Sequence, residues 1–335
     1  MTASVVAHER SLDYIFSTIY STYSILGIIL NSYVLLLTVT QKHNSIKEYR
    51  ILLGNSSCAL LLLSLLTFFL QIRFVIVGDS LGYVALGPMR FLDMPRLALF
   101  CTALFLAIDF YAFMTIAMCM VYKFATLKGK SASEKQLFVA AVLFSLLPIS
   151  TGVALLVDNP DFSELHVILN KLKPEYELQR YGNYCGLPDV KNIYVMYLIT
   201  VLSGIAITSF VVMVTIGFQM RSFFIKNANS MSTKNAQMFK RMVKALILQS
   251  FMPLVFSFPG IILYMLQQFL SFRSIAAEYL TISLSPLVVV VDPCITIFYV
   301  LPYRRNLSKS LGVHQKVSRC VKQQTLTGIF ATVFV

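Results

Sequence analysis

The sequence predicts an all-α membrane protein, a seven-transmembrane helix bundle with its amino terminus outside the cell and its carboxyl terminus in the cytoplasm. Two observations predict the bundle. Hydrophobic residues make up 57% of the 335 residues and charged residues only 13%, whereas an ordinary soluble domain has roughly 25% charged residues. The hydrophobic residues also gather in seven long runs, and a helix needs about 20 such residues to cross the hydrocarbon core of a bilayer.

The seven runs follow one another with no internal repeat and no linker that would divide the chain. They cover residues 14–39, 51–77, 97–122, 137–157, 193–218, 245–270 and 279–301. Arg73, Asp109 and Asp292 are the formal charges within them, too few for helices of a soluble bundle, which carry charge on their solvent face. We therefore expect an extracellular amino-terminal segment (1–13), a transmembrane domain (14–301) and a cytoplasmic tail (302–335).

The distribution of lysine and arginine sets the predicted orientation. Of the 28 basic residues, 19 lie in four alternate segments (40–50, 123–136, 219–244 and 302–335) and eight in the other four. Short cytoplasmic loops are enriched in lysine and arginine, so the first group faces the cytoplasm. The net charge of +13 therefore indicates contact with membrane lipids and not with nucleic acid, because the charge lies between apolar runs and forms no basic face of a soluble fold.

Two of the six cysteines are placed to form a disulfide. Cys101 lies about one turn from the outer end of the third run, and Cys185 lies in the long second outer segment. A bridge between them would tether that segment over the bundle as a lid above a central pocket. The alternative is that Cys101 is an ordinary buried thiol and Cys185 is free. The other cysteines lie within runs or in the inner tail, where thiols stay reduced.

Asp109 lies near the middle of the third run among apolar neighbours. A carboxylate at that depth costs about 3 kcal/mol by insertion scales, so its side chain is expected to face the interior of the bundle. Three roles are open at this stage: contact with a ligand, a hydrogen bond within the bundle, or titration as part of a switch.

A second polar feature is predicted in the seventh run. Asp292 precedes Pro293, and a proline frees a backbone carbonyl and bends the helix. Counted along the helices, Asn31 lies at a similar depth and Asn55 nearer the cytoplasm, so we expect a polar cluster of Asn31, Asn55 and Asp292 that links three helices. It is either packing between helices or part of an element that rearranges on activation.

Three further residues in the runs have simpler interpretations. Arg73 lies near the outer end of the second run, where a long side chain reaches the interface, so no function is predicted for it. Pro253 and Pro259 interrupt the sixth run and predict a bend about which one half of the helix swings.

The cytoplasmic side has two predicted contact regions. The third inner segment has six basic residues and no acid, and Lys240, Arg241 and Lys244 lie together at the entry to the sixth helix. This segment binds anionic lipid or docks a signalling partner. In the tail, the spacing of Tyr303, Leu307 and Leu311 predicts a short amphipathic helix on the membrane.

Several strings resemble the nematode serpentine chemoreceptors, a group of the G-protein-coupled receptor type. They are Gly27-x-x-Leu-Asn31, Gly87-Pro88-x-Arg90-Phe91, Met231-Ser-Thr-Lys-Asn-Ala-Gln-Met238, Lys244-Ala-Leu-Ile-Leu-Gln-Ser-Phe-Met-Pro253, Glu278-Tyr279 and Asp292-Pro-Cys-Ile-Thr-Ile-Phe-Tyr-Val-Leu-Pro-Tyr-Arg304. The class delta receptors are the most similar. The resemblance implies an olfactory-type receptor of the plasma membrane that binds a small chemical ligand within the bundle and activates a heterotrimeric G protein.

The sequence departs from the rhodopsin-like pattern in three places. Val121-Tyr122-Lys123-Phe124 stands where those receptors carry Asp-Arg-Tyr, no tryptophan is present for the sixth helix, and Thr296 stands where Asn/Asp-Pro-x-x-Tyr has tyrosine. A rhodopsin-type account of activation therefore cannot be transferred residue by residue.

Other function classes fit the sequence less well. A ligand-gated cation channel of the seven-helix odorant-receptor type is the alternative, but its amino terminus lies inside, against the charge distribution. A transporter would show related halves. The histidines lie outside the runs and no nucleophile, acid or metal-ligand spacing indicates catalysis, so neither an enzyme nor a cofactor is predicted.

Overall fold

The computed structural model describes most of the chain, and all structural statements below concern that part. The described residues are 2–40, 49–92, 94–130, 132–158, 160–174, 176, 178–181, 184–227, 244–245, 247–249, 251–270, 272, 274–299 and 303. Seven helices within it are long and apolar enough to cross a membrane, which confirms the predicted bundle. The charge-based orientation stays a prediction.

Within the described part we number nine α-helices and three strands, and residues 244–245 and 247–249 are also helical. The helices are α1 (Thr2–Thr40), α2 (Tyr49–Leu70), α3 (Pro95–Leu127), α4 (Glu134–Val157), α5 (Phe162–Leu172), α6 (Ile193–Asn227), α7 (Phe258–Phe269), α8 (Ile275–Ser283) and α9 (Val288–Tyr299), and the strands are β1 (Ile72–Val77), β2 (Ser80–Ala85) and β3 (Cys185–Leu187). Spans one to four are α1 to α4, and span five is α6. Span six (Ile247–Phe269) ends in α7, and span seven (Ile275–Tyr299) contains α8 and α9.

The third span is the centre of the bundle. α3 packs against α2, α4 and α6, while α1 packs against α2 and α9 and so closes the ring. Most of α3 is buried along its whole length. By contrast, α4 exposes a row of large apolar side chains such as Phe138, Leu143 and Val153. An apolar outer surface of this kind is typical of a helix that faces lipid.

The second predicted run is wrong beyond residue 70. α2 ends at Leu70, Gln71 adopts the left-handed conformation at φ 48°, and residues 72–77 form β1. An apolar run rich in valine and isoleucine suits a buried strand as well as a helix, and periodicity alone cannot separate them. Gln71 is held in place because it accepts a hydrogen bond from Ser17 (2.6 Å) and donates one to Ser21 (2.9 Å).

A three-stranded antiparallel sheet covers one end of the bundle, which we call the sheet end. β2 pairs with β1 from Val77↔Ser80 to Ile72↔Ala85, and with β3 from Leu81↔Leu187 to Tyr83↔Cys185. A two-residue turn joins β1 and β2, with Gly78 at φ +58° as this hairpin turn requires. α5 lies on the sheet and buries Leu165 and Leu169 against it.

The first helix begins before the first predicted run. α1 begins at Thr2 and not near residue 14, so the segment predicted to precede the first span is largely helical. Its acidic residues Glu9 and Asp13 hydrogen-bond to groups near the sheet, which places the start of α1 at the sheet end. The tail beyond residue 303 and the segment 228–243 lie outside the described residues.

Candidate functional site

A cavity lies beneath the sheet, between spans three, five, six and seven. Its volume is about 120 Å³. Its lining residues come from the sheet and from four spans: Phe74, Leu81, Tyr83, Leu106, Phe110, Leu187, Val195, Leu198, Ile199, Leu202, Ser203, Gly260, Ile261, Tyr264, Met265, Thr281 and Ile282. Concave, largely apolar sites with a few polar groups are typical of small-molecule binding.

One polar group in this cavity has no partner within the described part of the chain. The Oη of Tyr264 is buried and makes no hydrogen bond there. A buried hydroxyl without a partner costs about 1–3 kcal/mol, so a ligand with a hydrogen-bond acceptor would gain by reaching it. Burial raises the pKa of Tyr83, the other tyrosine lining the cavity, so its phenol stays neutral.

Cys101 and Cys185 both lie near the side of the cavity that the sheet covers. Cys185 is in β3, which contacts α3, and both side chains are buried. The structure records both as free thiols. Burial and the proximity of Cys101 raise the pKa of Cys185 to about 12, opposed by a backbone hydrogen bond. The disulfide stays a prediction.

A short polar chain lies next to the cavity, where three spans meet. Ser285 Oγ donates a hydrogen bond to Asp109 Oδ2 at 2.6 Å, and Ser285 and Ser257 lie 3.2 Å apart through their hydroxyls. Asp109 belongs to span three, Ser257 to span six and Ser285 to span seven. All three are buried, and Asp109 Oδ1 has no partner in the described structure. Asp109 does not line the cavity, although Leu106 and Phe110 on the same helix do. Its direct contact with a ligand stays a prediction.

Two of these residues occupy irregular turns. Ser257 ends a π-helical turn, Pro253–Ser257, that runs directly into α7. Ser285 begins a 3₁₀ turn, Ser285–Leu287, that separates α8 from α9. Single π turns within helices frequently occur at functional sites. The π turn begins at Pro253, and Pro259 lies in the first turn of α7, where a proline is tolerated. The bend predicted at these two prolines stays a prediction.

The predicted cluster of Asn31, Asn55 and Asp292 is wrong as a single unit. Each makes its own hydrogen bond: Asn31 Nδ2 donates to the Val289 carbonyl (2.8 Å), Asn55 Nδ2 to Tyr111 Oη (2.9 Å), and Asp292 Oδ1 accepts from Gln249 Nε2 (2.8 Å). Short side chains on separate helix faces reach the nearest polar group before they reach one another. The three bonds connect spans one and seven, two and three, and six and seven.

Pro293 explains the first of these bonds. A proline has no N–H to donate to the carbonyl four residues earlier, which here is Val289, and Asn31 supplies the missing donor. Gly27 permits the approach, since a Cβ at that position would lie 2.5 Å from a Val289 methyl group. The spacing of Gly27 and Asn31 therefore has a structural reason.

The interpretation of Arg73 as an interfacial side chain is wrong. Its side chain is fully buried, and it donates to Glu278 Oε2 (2.7 Å from Nη2, 3.2 Å from Nε), Glu9 Oε1 (2.6 Å) and Tyr181 Oη (3.2 Å). Tyr279 lies under the guanidinium at 4.6 Å. Burial alone would lower the pKa of Arg73, but Glu278, the neighbouring tyrosines and Glu9 raise it, so the side chain stays charged.

Further charges extend this ion network, from buried Lys173 to the partly exposed pair of Arg180 and Asp13. Lys173 Nζ lies 3.1 Å from Glu278 Oε1, and Arg180 Nη2 lies 2.6 Å from Asp13 Oδ2. Three basic and three acidic side chains thus balance, which satisfies the requirement that buried charges be paired. The network joins α1, β1, the segment after α5 and α8. It therefore fastens the sheet to the first and seventh spans.

The predicted cytoplasmic docking residues are only partly described. Lys244 is exposed and lies three residues before the start of span six. Lys240 and Arg241 lie outside the described residues. Their contact with a signalling partner stays a prediction.

Sequence reasoning missed several residues of these sites. Ser257, Ser285 and Tyr264 look like ordinary polar residues in apolar helices, and their significance comes from neighbours far along the chain. A signal was available for Glu9 and Glu278, since the predicted outer segments have eleven acidic residues against eight basic ones and Arg73 lies at the same end.

Comparison with known proteins agrees with this architecture. Squid rhodopsin superposes with a TM-score of 0.53 at 15% identity, over 90% of this chain and 86% of that one, which shows a shared fold. Serpentine receptor class delta-50 of Caenorhabditis elegans is 26% identical over 330 residues, covering 93% of this chain and 95% of the relative. Serpentine receptor class delta-32 of the same organism is 25% identical over 300 residues, covering 88% and 87%.

The family model described as "Serpentine type 7TM GPCR chemoreceptor Srd" matches residues 16–309. That range includes the cavity, spans two to seven and span one from residue 16 onward. The family consists of multi-pass membrane receptors and is not a family of enzymes. The chain belongs to the Srd family of serpentine seven-transmembrane chemoreceptors.

Proposed function

We propose that this receptor binds a small, mostly apolar chemical in the cavity beneath the sheet and activates a heterotrimeric G protein at the opposite end of the bundle. The cavity carries the proposal, because it lies where four spans meet and its wall includes residues of spans six and seven. Membership of the chemoreceptor family supports a chemical signal as the input.

The size of the cavity bounds the ligand. A dry apolar cavity of roughly 150 Å³ holds a benzene-sized molecule, and this one has about 120 Å³. Removal of about 150 Å² of apolar ligand surface from water contributes roughly 4 kcal/mol, and a hydrogen bond to Tyr264 adds about 1 kcal/mol. The sum corresponds to a dissociation constant of very roughly 0.1–1 mM. The ligand is therefore compact, and one acceptor group improves its binding.

The polar chain offers a route from the cavity to span six. Gly260 and Ile261 line the cavity one turn after Ser257, and Thr281 and Ile282 line it one turn before Ser285. A ligand that separates these helices would alter the Ser257–Ser285–Asp109 contacts and the π turn. A ligand shifts such an equilibrium only by its different affinity for the two states. The cytoplasmic end of span six would then move and admit the G protein.

Cavity-filling substitutions test this function. Leu198→Phe fills the cavity from α6, whereas Ile207→Phe adds the same group on an exposed face of α6. Volatile and water-soluble compounds are screened on cells that express the receptor, with nucleotide exchange on the G protein as the readout. We expect Leu198→Phe to abolish the response at normal surface level and Ile207→Phe to retain it. Equal responses of the two variants would place the ligand elsewhere.

A further inference from the structure

We infer that the ligand enters the cavity sideways from the bilayer, through the seam between α6 and α7, and that the natural ligands are compounds that partition into membranes. This inference rests on the proposed ligand site and adds its access route and ligand class. Three observations carry it: the covered sheet end, the partly exposed side wall and the loose packing of the seam.

The sheet end of the cavity is closed by buried side chains. Phe74, Leu81, Tyr83 and Leu187 form its roof, with exposed fractions of 6%, 5%, 3% and 0%. Main-chain hydrogen bonds hold these strands in one sheet. Gly82 lies directly under Leu169 of α5, since a Cβ there would be 2.9 Å from the leucine Cδ1. A second layer therefore covers the roof.

The buried ion network fastens this roof to the helices. Arg73 lies next to Phe74 in β1 and holds Glu9 of α1 and Glu278 of α8 at 2.6 and 2.7 Å. Opening the roof toward water would separate these charges. A path through the sheet thus breaks paired charges and strand hydrogen bonds, which a path between helices does not.

The side of the cavity that faces outward lies between α6 and α7. Ile199 and Ser203 of α6 and Ile261, Tyr264 and Met265 of α7 are only partly buried, unlike the roof. The two helices pack mainly against other partners, α6 against α3 and α4 and α7 against α8. Phe210 and Phe258 meet edge to face at 5.2 Å and close the seam farther from the sheet.

Lipid is the medium on the outer side of this seam. Neighbouring positions on both helices carry exposed apolar side chains, with Ile207 at 55% on α6 and Ile262 at 56% on α7. Such surfaces face hydrocarbon in a membrane protein. A compound that reaches the seam must therefore first dissolve in the bilayer. The apolar lining of the cavity favours apolar compounds, and these are also the compounds that dissolve in the bilayer.

The absence of tryptophan from the sequence permits a direct test, because one introduced tryptophan is the only indole in the protein. Three single substitutions are compared in nanodiscs: Tyr264→Trp in the cavity wall, Phe74→Trp in the roof and Ile207→Trp on the lipid face. Met265→Trp replaces the first if Tyr264→Trp does not reach the folded state. Quenchers are phosphatidylcholine brominated on its acyl chains and aqueous iodide.

We expect brominated lipid to quench the tryptophan of the Tyr264→Trp protein almost as strongly as that of the Ile207→Trp protein, and iodide to quench none of the three. Strong iodide quenching of the cavity or roof tryptophan would show that water enters through the sheet and overturn the route. Fluorescence at position 264 that is unchanged by brominated lipid would show a sealed seam and overturn it too. Neither readout uses an agonist or a G protein, so failure of the route is separate from failure of the proposed function.

Discussion

Replacement of Arg73 by methionine tests whether the buried ion network holds the sheet end together. Arg73→Met leaves Glu278 with Lys173 at 3.1 Å, but leaves Glu9 with the Tyr181 hydroxyl at 3.2 Å and Arg180 at 3.8 Å. Loss of one partner from a buried ion pair costs about 3–5 kcal/mol, because the remaining charge stays buried without compensation. We therefore expect the melting temperature to fall by roughly 5–10 °C.

An exposed ion pair at the same end of the bundle is the matched control. Lys191 Nζ lies 2.7 Å from Asp79 Oδ2, but the two side chains are 72% and 56% exposed, and such pairs contribute about 0–1 kcal/mol. Lys191→Met should thus leave the melting temperature nearly unchanged. A thiol-reactive fluorescent maleimide follows unfolding in detergent, since Cys119 is buried until the bundle opens. Equal melting temperatures for the two variants would refute the structural role of the network.

Three further predictions follow from single contacts. Asn31→Leu should lower stability by about 1–3 kcal/mol, since the Val289 carbonyl loses its donor; an unchanged melting curve would mean that another group replaces it. Gly260→Ala should destabilise the receptor, because its Cβ would lie 2.2 Å from the Thr281 carbonyl oxygen, whereas Gly204→Ala meets no atom within 4 Å and should be tolerated. Mass spectrometry of receptor from the cell surface should recover Cys101 and Cys185 as one linked peptide, and recovery of both as free thiols ends the disulfide prediction.

A fourth further prediction concerns the basic residues at the entry to the sixth helix. Replacement of Lys240, Arg241 and Lys244 together by glutamine should leave surface level near wild type and sharply reduce agonist-stimulated nucleotide exchange on the G protein. Unchanged exchange at matched surface level would leave lipid attraction as the role of these charges.

The fold could be predicted because a segment that crosses the bilayer must be composed mainly of apolar residues. Every span needs a long apolar helix whose backbone groups are satisfied internally, and that demand is visible in each stretch of the sequence by itself. The sheet was missed for the same reason. β1 continues the apolar run of α2 after a single polar residue, the left-handed Gln71. Nothing local indicates that the chain turns there.

The polar sites were predicted in part. The sequence showed that Pro293 would free a carbonyl and that Asp109 would face inward, since both follow from properties of one residue. It did not show which group would hydrogen-bond to the freed carbonyl or to the Asp109 carboxylate. Asn31 and Val289 are 258 positions apart, and Asp109 and Ser285 are 176 apart. Partners at such distances are fixed by how helices pack, which a single sequence does not specify.

The arrangement of hydrogen bonds indicates where this receptor can change shape. Hydrogen bonds join span six to span seven, one between Gln249 and Asp292 and another between Ser257 and Ser285. The π turn of Pro253–Ser257 lies between Gln249 and the second bond and ends at Ser257. We expect the Gln249–Asp292 bond to restrain the end of span six that is predicted to face the cytoplasm. If the proposed ligand alters the Ser257–Ser285 contact while the Gln249–Asp292 bond holds, the two halves of span six must move separately. The π turn of Pro253–Ser257 is the place where we expect that movement. This arrangement needs neither the tryptophan nor the Asp-Arg-Tyr string that the sequence lacks.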